Sequence, residues 1–178
     1  MTINITDRTL AIVALVGLVL IYCSFDERID RLEQVVNDAV TTESGIQYTQ
    51  ADLDCLAKNV YYEAGTEDTL GKIAVATVTV NRLRTGYWGR NICDVVYAPN
   101  QFSWTNNAVA KPNQQMWYES KHVALNVLNG IRARGLEHSL YYHADYIKEP
   151  RWVDQSQRTL QIGSHVFYNR AKNSWLSI

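Results

Sequence analysis

Apolar and polar positions recur along the chain with several periods, and each period predicts a different element. Residues 10–22 read LAIVALVGLVLIY, an apolar run without a charge. Asp7 and Arg8 precede it, and Asp26, Glu27 and Arg28 follow. Extended from Thr9 to Phe25, the run lies at the short end of the roughly 17–25 residues that a spanning helix needs. It reads as an N-terminal transmembrane signal-anchor within residues 1–25, contacting the membrane through residues 9–25. A signal-peptide core and a buried helix of a soluble domain are the alternatives. A signal peptide wants a small-x-small cleavage site, where this chain has Tyr22, Cys23, Ser24 and Phe25. Arg8 and the chain amine, set against a second flank of mixed sign, favour a cytoplasmic N-terminus with the remaining chain on the periplasmic side of the inner membrane.

Beyond the run, Ile29, Leu32, Val36 and Ala39 follow helical spacing among charged neighbours, so Asp26 to Val40 reads as an amphipathic stalk. Thr41 to Gly45 is a polar break. The predicted organisation is an anchor over 1–25, a helical stalk and linker over 26–45, and one domain over 46–178. In that domain Leu53, Leu56, Ala57, Val60 and Ala64 mark a helix over 52–64, with Gly65 as its stop. Residues 69–84 are apolar almost all round. Their β-branched side chains suit a strand too, but the length favours a buried central helix. Residues 93–104 and 139–146 read as short strands or loops. Val123, Ala124, Val127, Leu128 and Ile131 form the inner face of a helix over 115–132. Leu160, Ile162, Val166 and Tyr168 suggest one final strand. The sum is a small α+β domain, mostly helical with a short β-sheet.

Composition changes this picture little. The chain is 47% hydrophobic and 20% charged, as an ordinary globular protein is. A net charge of −1 lacks the broad basic footprint of a nucleic-acid binder. Eleven Tyr and five Trp can fill a core or make flat walls on which sugars stack.

Glu63 is the first candidate for chemistry. With Leu56 and Val60 it runs along one edge of the apolar stripe of its helix. A carboxylate there is partly desolvated, which disfavours its charged form and raises its pKa. Glycosidic cleavage needs such an acid, still protonated near neutral pH, to protonate the leaving oxygen. Tyr61 and Tyr62 beside it can supply a hydroxyl or a stacking face. Taken alone, a Glu near a helix end is ordinarily a solvated surface residue. Most glycosidases also use a second carboxylate, and Glu67, Asp145 and Asp154 are undistinguished candidates. One chemistry needs a single Glu: attack by the substrate's own hydroxyl, which leaves a 1,6-anhydro sugar.

Four segments in order, DCLAKNVYYEAGTEDTLGKIAVATVTVNRL, NICDVVYAPNQFSW, LYYHADYIKEPRW and IGSHVFYNR, resemble the SleB/CwlJ-like family of cell-wall hydrolases over residues 50–175. The resemblance implies a lysozyme-like, lytic-transglycosylase-like fold, peptidoglycan glycan strands as partner, and no cofactor. It places the catalytic Glu of a Tyr-x-Glu-Ala block on Glu63, in agreement with the reading of the helix edge. The chain departs from the pattern at Gly65, where Arg is usual, and at Asp68, where Pro is common. With a short anchor and one bare domain, it looks like a phage endolysin.

The same resemblance implies substrate contacts by Glu67, Gln101, Phe102, Ser103, Trp104, Tyr141, His143 and Tyr168. Gln101 and Ser103 can hydrogen-bond acetamido and hydroxyl groups, and Phe102 and Trp104 offer flat faces. The plainer reading is a strand with Phe102 and Trp104 packed inward. His165 is equally a structural hydrogen-bonding residue. Cys55 and Cys93 both lie in motif segments and would form a disulfide in an oxidising periplasm. Cys23 is an inert anchor residue, an intermolecular bridge or an exchange partner. Two rival functions remain. Cys55, Cys93, His143 and His165 are zinc-ligand types for an N-acetylmuramoyl-L-alanine amidase, but their spacing matches no compact zinc motif, so no metal is expected. The other rival is a non-catalytic wall-binding module.

Overall fold

The apolar run and the amphipathic stretch behind it form one continuous helix, α1 (Ile5–Ala39). No breaker separates them: the Ser24 hydroxyl donates to the Ile21 carbonyl at 2.8 Å, inside the helix. The computed structural model describes residues 5–106 and 113–171. Large apolar side chains of α1 from Ile12 to Phe25 are exposed. The expected spanning helix is not found: among the described residues, no helix is long and apolar enough to cross a membrane. The uncharged run whose side chains are described starts at Ile12 and meets Asp26, Glu27 and Arg28 before it reaches the roughly 17–25 residues required. The chain divides into two compact units between Asp38 and Ala39.

The second unit begins with strand β1 (Val40–Thr42), in the segment expected to be stalk and linker. Helix α2 (Gln50–Ala64) starts two residues before the position that spacing predicts, because Thr49 caps it. The Thr49 hydroxyl accepts from the Asp52 amide, and the Asp52 carboxylate accepts from the Thr49 amide, a reciprocal capping box. Helix α3 (Thr69–Thr85) is buried on every side from Gly71 to Arg82. Its β-branched residues do not make it a strand, because both ends are fixed. Asp68 caps the first turn, and Gly86 closes the last in the left-handed conformation. Inside, the Thr77 and Thr79 hydroxyls donate to the carbonyls of Ile73 and Val75, so neither is left unsatisfied.

Residues 93–104 depart from the expected strands or loops. They hold helix α4 (Ile92–Tyr97) and a 3₁₀ turn over Ser103–Asn106. Asn91 caps α4 through the Asp94 amide, and the buried Asp52 carboxylate accepts from the Ile92 and Cys93 amides at 2.9 and 3.3 Å. Asp52 thus joins the N-termini of two helices. Burial pushes its pKa up, but the hydrogen bonds from Thr49, Cys93 and Ile92 together outweigh it and hold the pKa low. Beside it the expected disulfide is present, Cys55 to Cys93, with Cα atoms 5.3 Å apart.

Helix α5 (Gln114–Leu128) also ends before the predicted Arg132. Gly130, at φ 116°, turns the chain away, and a Cβ there would meet the Glu43 carbonyl oxygen at 2.1 Å. Residues 131–133 become strand β2, antiparallel to β1. Buried Arg132 donates to the carbonyls of Val127 and Ile131 and so caps α5. The final strand is in fact a hairpin, β4 (Arg158–Ile162) and β5 (His165–Tyr168). With β3 (Tyr141–Ala144) it makes an antiparallel sheet in the order β3-β5-β4. The turn holds Gly163 at φ +55°, where a Cβ would lie 1.8 Å from Glu67 Oε2. The core packs α2, α3, α4 and α5 around Leu56, Val60, Val78, Val80, Val127 and Leu128.

Candidate active site

Glu63 sits one residue before the end of α2. The chain breaks at Gly65 and re-enters at Asp68, so the Glu63 side chain leaves a helix edge towards β3. There the Tyr142 hydroxyl donates to Glu63 Oε2 at 3.1 Å. Burial raises the Glu63 pKa, while the Tyr142 hydrogen bond and the Arg82 charge pull it down; the net direction is up. Tyr142 is pushed up as well, by burial and by the neighbouring Glu63. A carboxyl whose pKa is raised by burial, held by a phenol, is suited to deliver a proton and then to remain as a hydrogen-bonded anion.

This pair lies in a cleft of about 690 Å³. Its lining includes Tyr62, Gln101, Phe102, Ser103, His143, Trp152 and His165. Phe102 is 2% exposed and forms part of the floor. Gln101 holds its loop through a bond from Nε2 to the Pro99 carbonyl at 3.2 Å. Trp104 stands behind the wall, not on it. Its ring stacks on Tyr62 at 4.8 Å, and its indole N–H donates to Asn59 Oδ1 at 3.1 Å. Tyr62 therefore presents a face of fixed orientation.

On β3, Tyr142 reaches Glu63, and Tyr142 and His143 both line the cleft. The His143 Nδ1–H donates to the Ala144 carbonyl at 2.9 Å, so Nε2 accepts from the Tyr168 hydroxyl at 3.1 Å. Tyr168 is buried and meets the cleft through two of its lining residues, by the hydrogen bond to His143 and by an edge contact with the Trp152 ring at 5.7 Å. Tyr141 packs against Trp88 and Trp152.

Glu67 occupies another place. Its carboxylate accepts from the Ser164 amide at 3.2 Å and from the Ser164 hydroxyl, tying the loop between α2 and α3 to the β4–β5 turn. His165 Nδ1 lies 3.9 Å from Glu67 Oε1. Burial lowers the His165 pKa, opposed by the Glu67 and Asp145 charges. Asp145 accepts from Gln161, and Asp154 caps the Ser156 amide. Neither borders the cleft. Among the described residues, Glu63 is the one carboxylate in the cleft wall, and no cluster fit to hold a metal occurs. Cys55 and Cys93 are bonded to each other and so are not available as zinc ligands.

Sequence reasoning missed Tyr142, Arg82 and Trp152. Arg82 left one signal, a cation at a buried position of α3, which it shares with Lys72. Tyr142 left none, because its reach to Glu63 depends on strand pairing.

The model of the family described as Cell Wall Hydrolase matches residues 66–168, more than half the chain and starting just after Glu63. A spore cortex-lytic enzyme of Oceanobacillus iheyensis is 32% identical over 67% of this chain and 42% of its own length. One from Bacillus cereus is 28% identical over 67% of this chain and 45% of its own length. The chain thus spans less than half the length of these curated relatives. The catalytic domain of the Bacillus cereus SleB protein superposes with a TM-score of 0.58 at 26% identity, covering 70% of this chain and 94% of that one. The catalytic domain of the germination-specific lytic transglycosylase SleB from Bacillus anthracis gives 0.57 at 27% identity, covering 68% and 96%. The mixed arrangement of helices and small sheets is shared with these domains, and the chain belongs to the cell wall hydrolase family.

Proposed function

We propose that this domain cleaves the glycan strands of peptidoglycan as a lytic transglycosylase, with Glu63 acting first as acid and then as base. The observation that carries the reading is the single carboxylate that the described residues place in the cleft wall, its pKa raised by burial and its anion held by Tyr142. Glu63 gives its proton to the glycosidic oxygen as the bond from that oxygen to the anomeric carbon breaks. The C6 hydroxyl of the same muramoyl residue attacks the anomeric carbon, and Glu63 takes the hydroxyl proton. The nucleophile is already tethered, so its effective concentration far exceeds that of a free reactant. Gln101 and Ser103 hold the acetamido group, and His143, fixed by Tyr168, contacts the opposite side. Trp104 and Tyr141 support the walls, and Glu67 supports the turn that carries His165.

Mass spectrometry of digested peptidoglycan tests this. The expected products carry 1,6-anhydro-muramoyl ends, lighter by one water than hydrolysis products. Reducing ends alone would mean that water is the nucleophile and that the single-Glu cycle is wrong. Within the same reading, α1 associates with a membrane through its exposed apolar side chains between Ile12 and Phe25, and the wall is cut from there during host lysis. Recovery of the full chain in the soluble fraction would remove that part.

A further inference from the structure

Arg82 is 5% exposed, yet it belongs to the cleft wall. Its guanidinium carbon lies 5.3 Å from the ring centroid of Trp88, 5.2 Å from that of Phe102 and 5.9 Å from that of Tyr141. Its Nε donates to the Leu140 carbonyl at 2.8 Å, immediately before β3. Its Nη1 is buried and has no partner among the described residues. A buried cation is costly, and a well-packed apolar residue would commonly serve stability as well or better. Three ring faces and one carbonyl offset part of that cost. The rest has no structural return, since one N–H donor group is left unused. Arg132, also buried, likewise leaves Nε and Nη2 without a hydrogen-bond partner among the described residues, but it caps α5 and does not border the cleft, so the place of Arg82 in the cleft wall is what sets it apart.

We propose that Arg82 is a positioning residue for the reaction: a fixed, caged cation that stabilises the negative charge left on Glu63 once its proton has gone to the leaving oxygen. The inference rests on the acid role of Glu63. Among the described residues, the titratable and charged groups that line the cleft with Glu63 are Tyr62 from its own helix, Arg82 from α3, Tyr142 and His143 from β3, His165 from β5 and Tyr146 from the loop after β3. Arg82 is the permanent cation among them. A preorganised charge in a desolvated site costs no rearrangement when the proton moves, which is why such groups favour the charged intermediate. Tyr142 adds a hydrogen bond to the same anion. The two supports are linked, because the Leu140 carbonyl held by Arg82 leads directly into the strand that carries Tyr142.

The test uses the full chain with carboxyl-labelled Glu, the Glu63 resonance being identified by its loss in E63Q. In R82Q, which keeps a donor for Leu140 but no charge, Glu63 should titrate at higher pH than in the wild type. The high-pH limb of wall lysis should move the same way, and the maximal rate should fall roughly tenfold as Glu63 becomes a weaker acid. In R82K, which keeps the charge, the titration should stay near its wild-type position. A folded R82Q with the wild-type Glu63 titration overturns the proposal. If R82Q has no cooperative melt, the wild type decides. The Arg82 Nε resonance, recognised by its contacts to Trp88 and Phe102, should move with pH at the Glu63 midpoint and stay flat in E63Q. No movement in the wild type overturns the proposal equally. Titration is read without turnover, so its failure is distinct from a failure of E63Q to abolish lysis.

Discussion

Glu63→Gln keeps the fold and lowers wall lysis by about 10²–10⁴-fold, the usual worth of a positioned general acid. Gln is nearly isosteric and can still accept from the Tyr142 hydroxyl, so the loss reports chemistry and not packing. Lysis of purified peptidoglycan measures it, and a variant with more than half the wild-type activity removes Glu63 from the role. The pH dependence follows from the raised Glu63 pKa. Activity needs the protonated carboxyl and declines as pH rises through that pKa. Stability has the same sign. A carboxyl whose pKa is higher in the folded state adds stability below its unfolded pKa, and this is lost as pH rises through the folded value. The Gln variant carries no such term. It should therefore gain on the wild type in a melt at pH above the folded Glu63 pKa, and the gain should disappear in acid.

Replacing both Cys55 and Cys93 by Ala lowers stability by about 3–4 kcal/mol through the released loop, which spans a sequence separation of 38. The bridge ties α2 to α4, and the chain that leaves α4 becomes the Gln101–Ser103 wall of the cleft. Asp52 holds the same junction by hydrogen bonds, so the fold should survive at low temperature and melt early. Urea melts without reductant, wild type against variant, measure the difference. An unchanged midpoint would mean that the Asp52 junction alone suffices.

The long helices were legible because spacing and caps agree: the Leu53, Leu56, Ala57 and Val60 stripe of α2, with Gly65 behind it, and the 17 apolar-rich positions of α3 between Asp68 and Gly86. Three elements were not. Val95 and Val96 look strand-like, but α4 is set by caps from Asn91 and from the distant Asp52. Ile131 continues the α5 stripe in sequence, yet Gly130 turns the chain into β2. The alternating residues 160–168 conceal a turn at Gly163 that Glu67 holds from far along the chain. The site shows the same division. Glu63 could be found on its helix edge, and Cys55 and Cys93 through their motif segments. The contact of Tyr142 with it and the cage around Arg82 arise from tertiary packing that no local pattern encodes.

The place where α2 stops also matters for the acid. Aligned peptide dipoles leave about half a negative charge at a helix C-terminus, and the effect is confined to the last turn. Glu63 is in that turn, one residue before Ala64. The field of the backbone therefore disfavours its carboxylate in the same direction as desolvation, and it does so without any side-chain contact. Repacking of the cleft walls to suit a different wall chemistry would leave this contribution in place, whereas continuing the helix past Gly65 by even one turn would take it away.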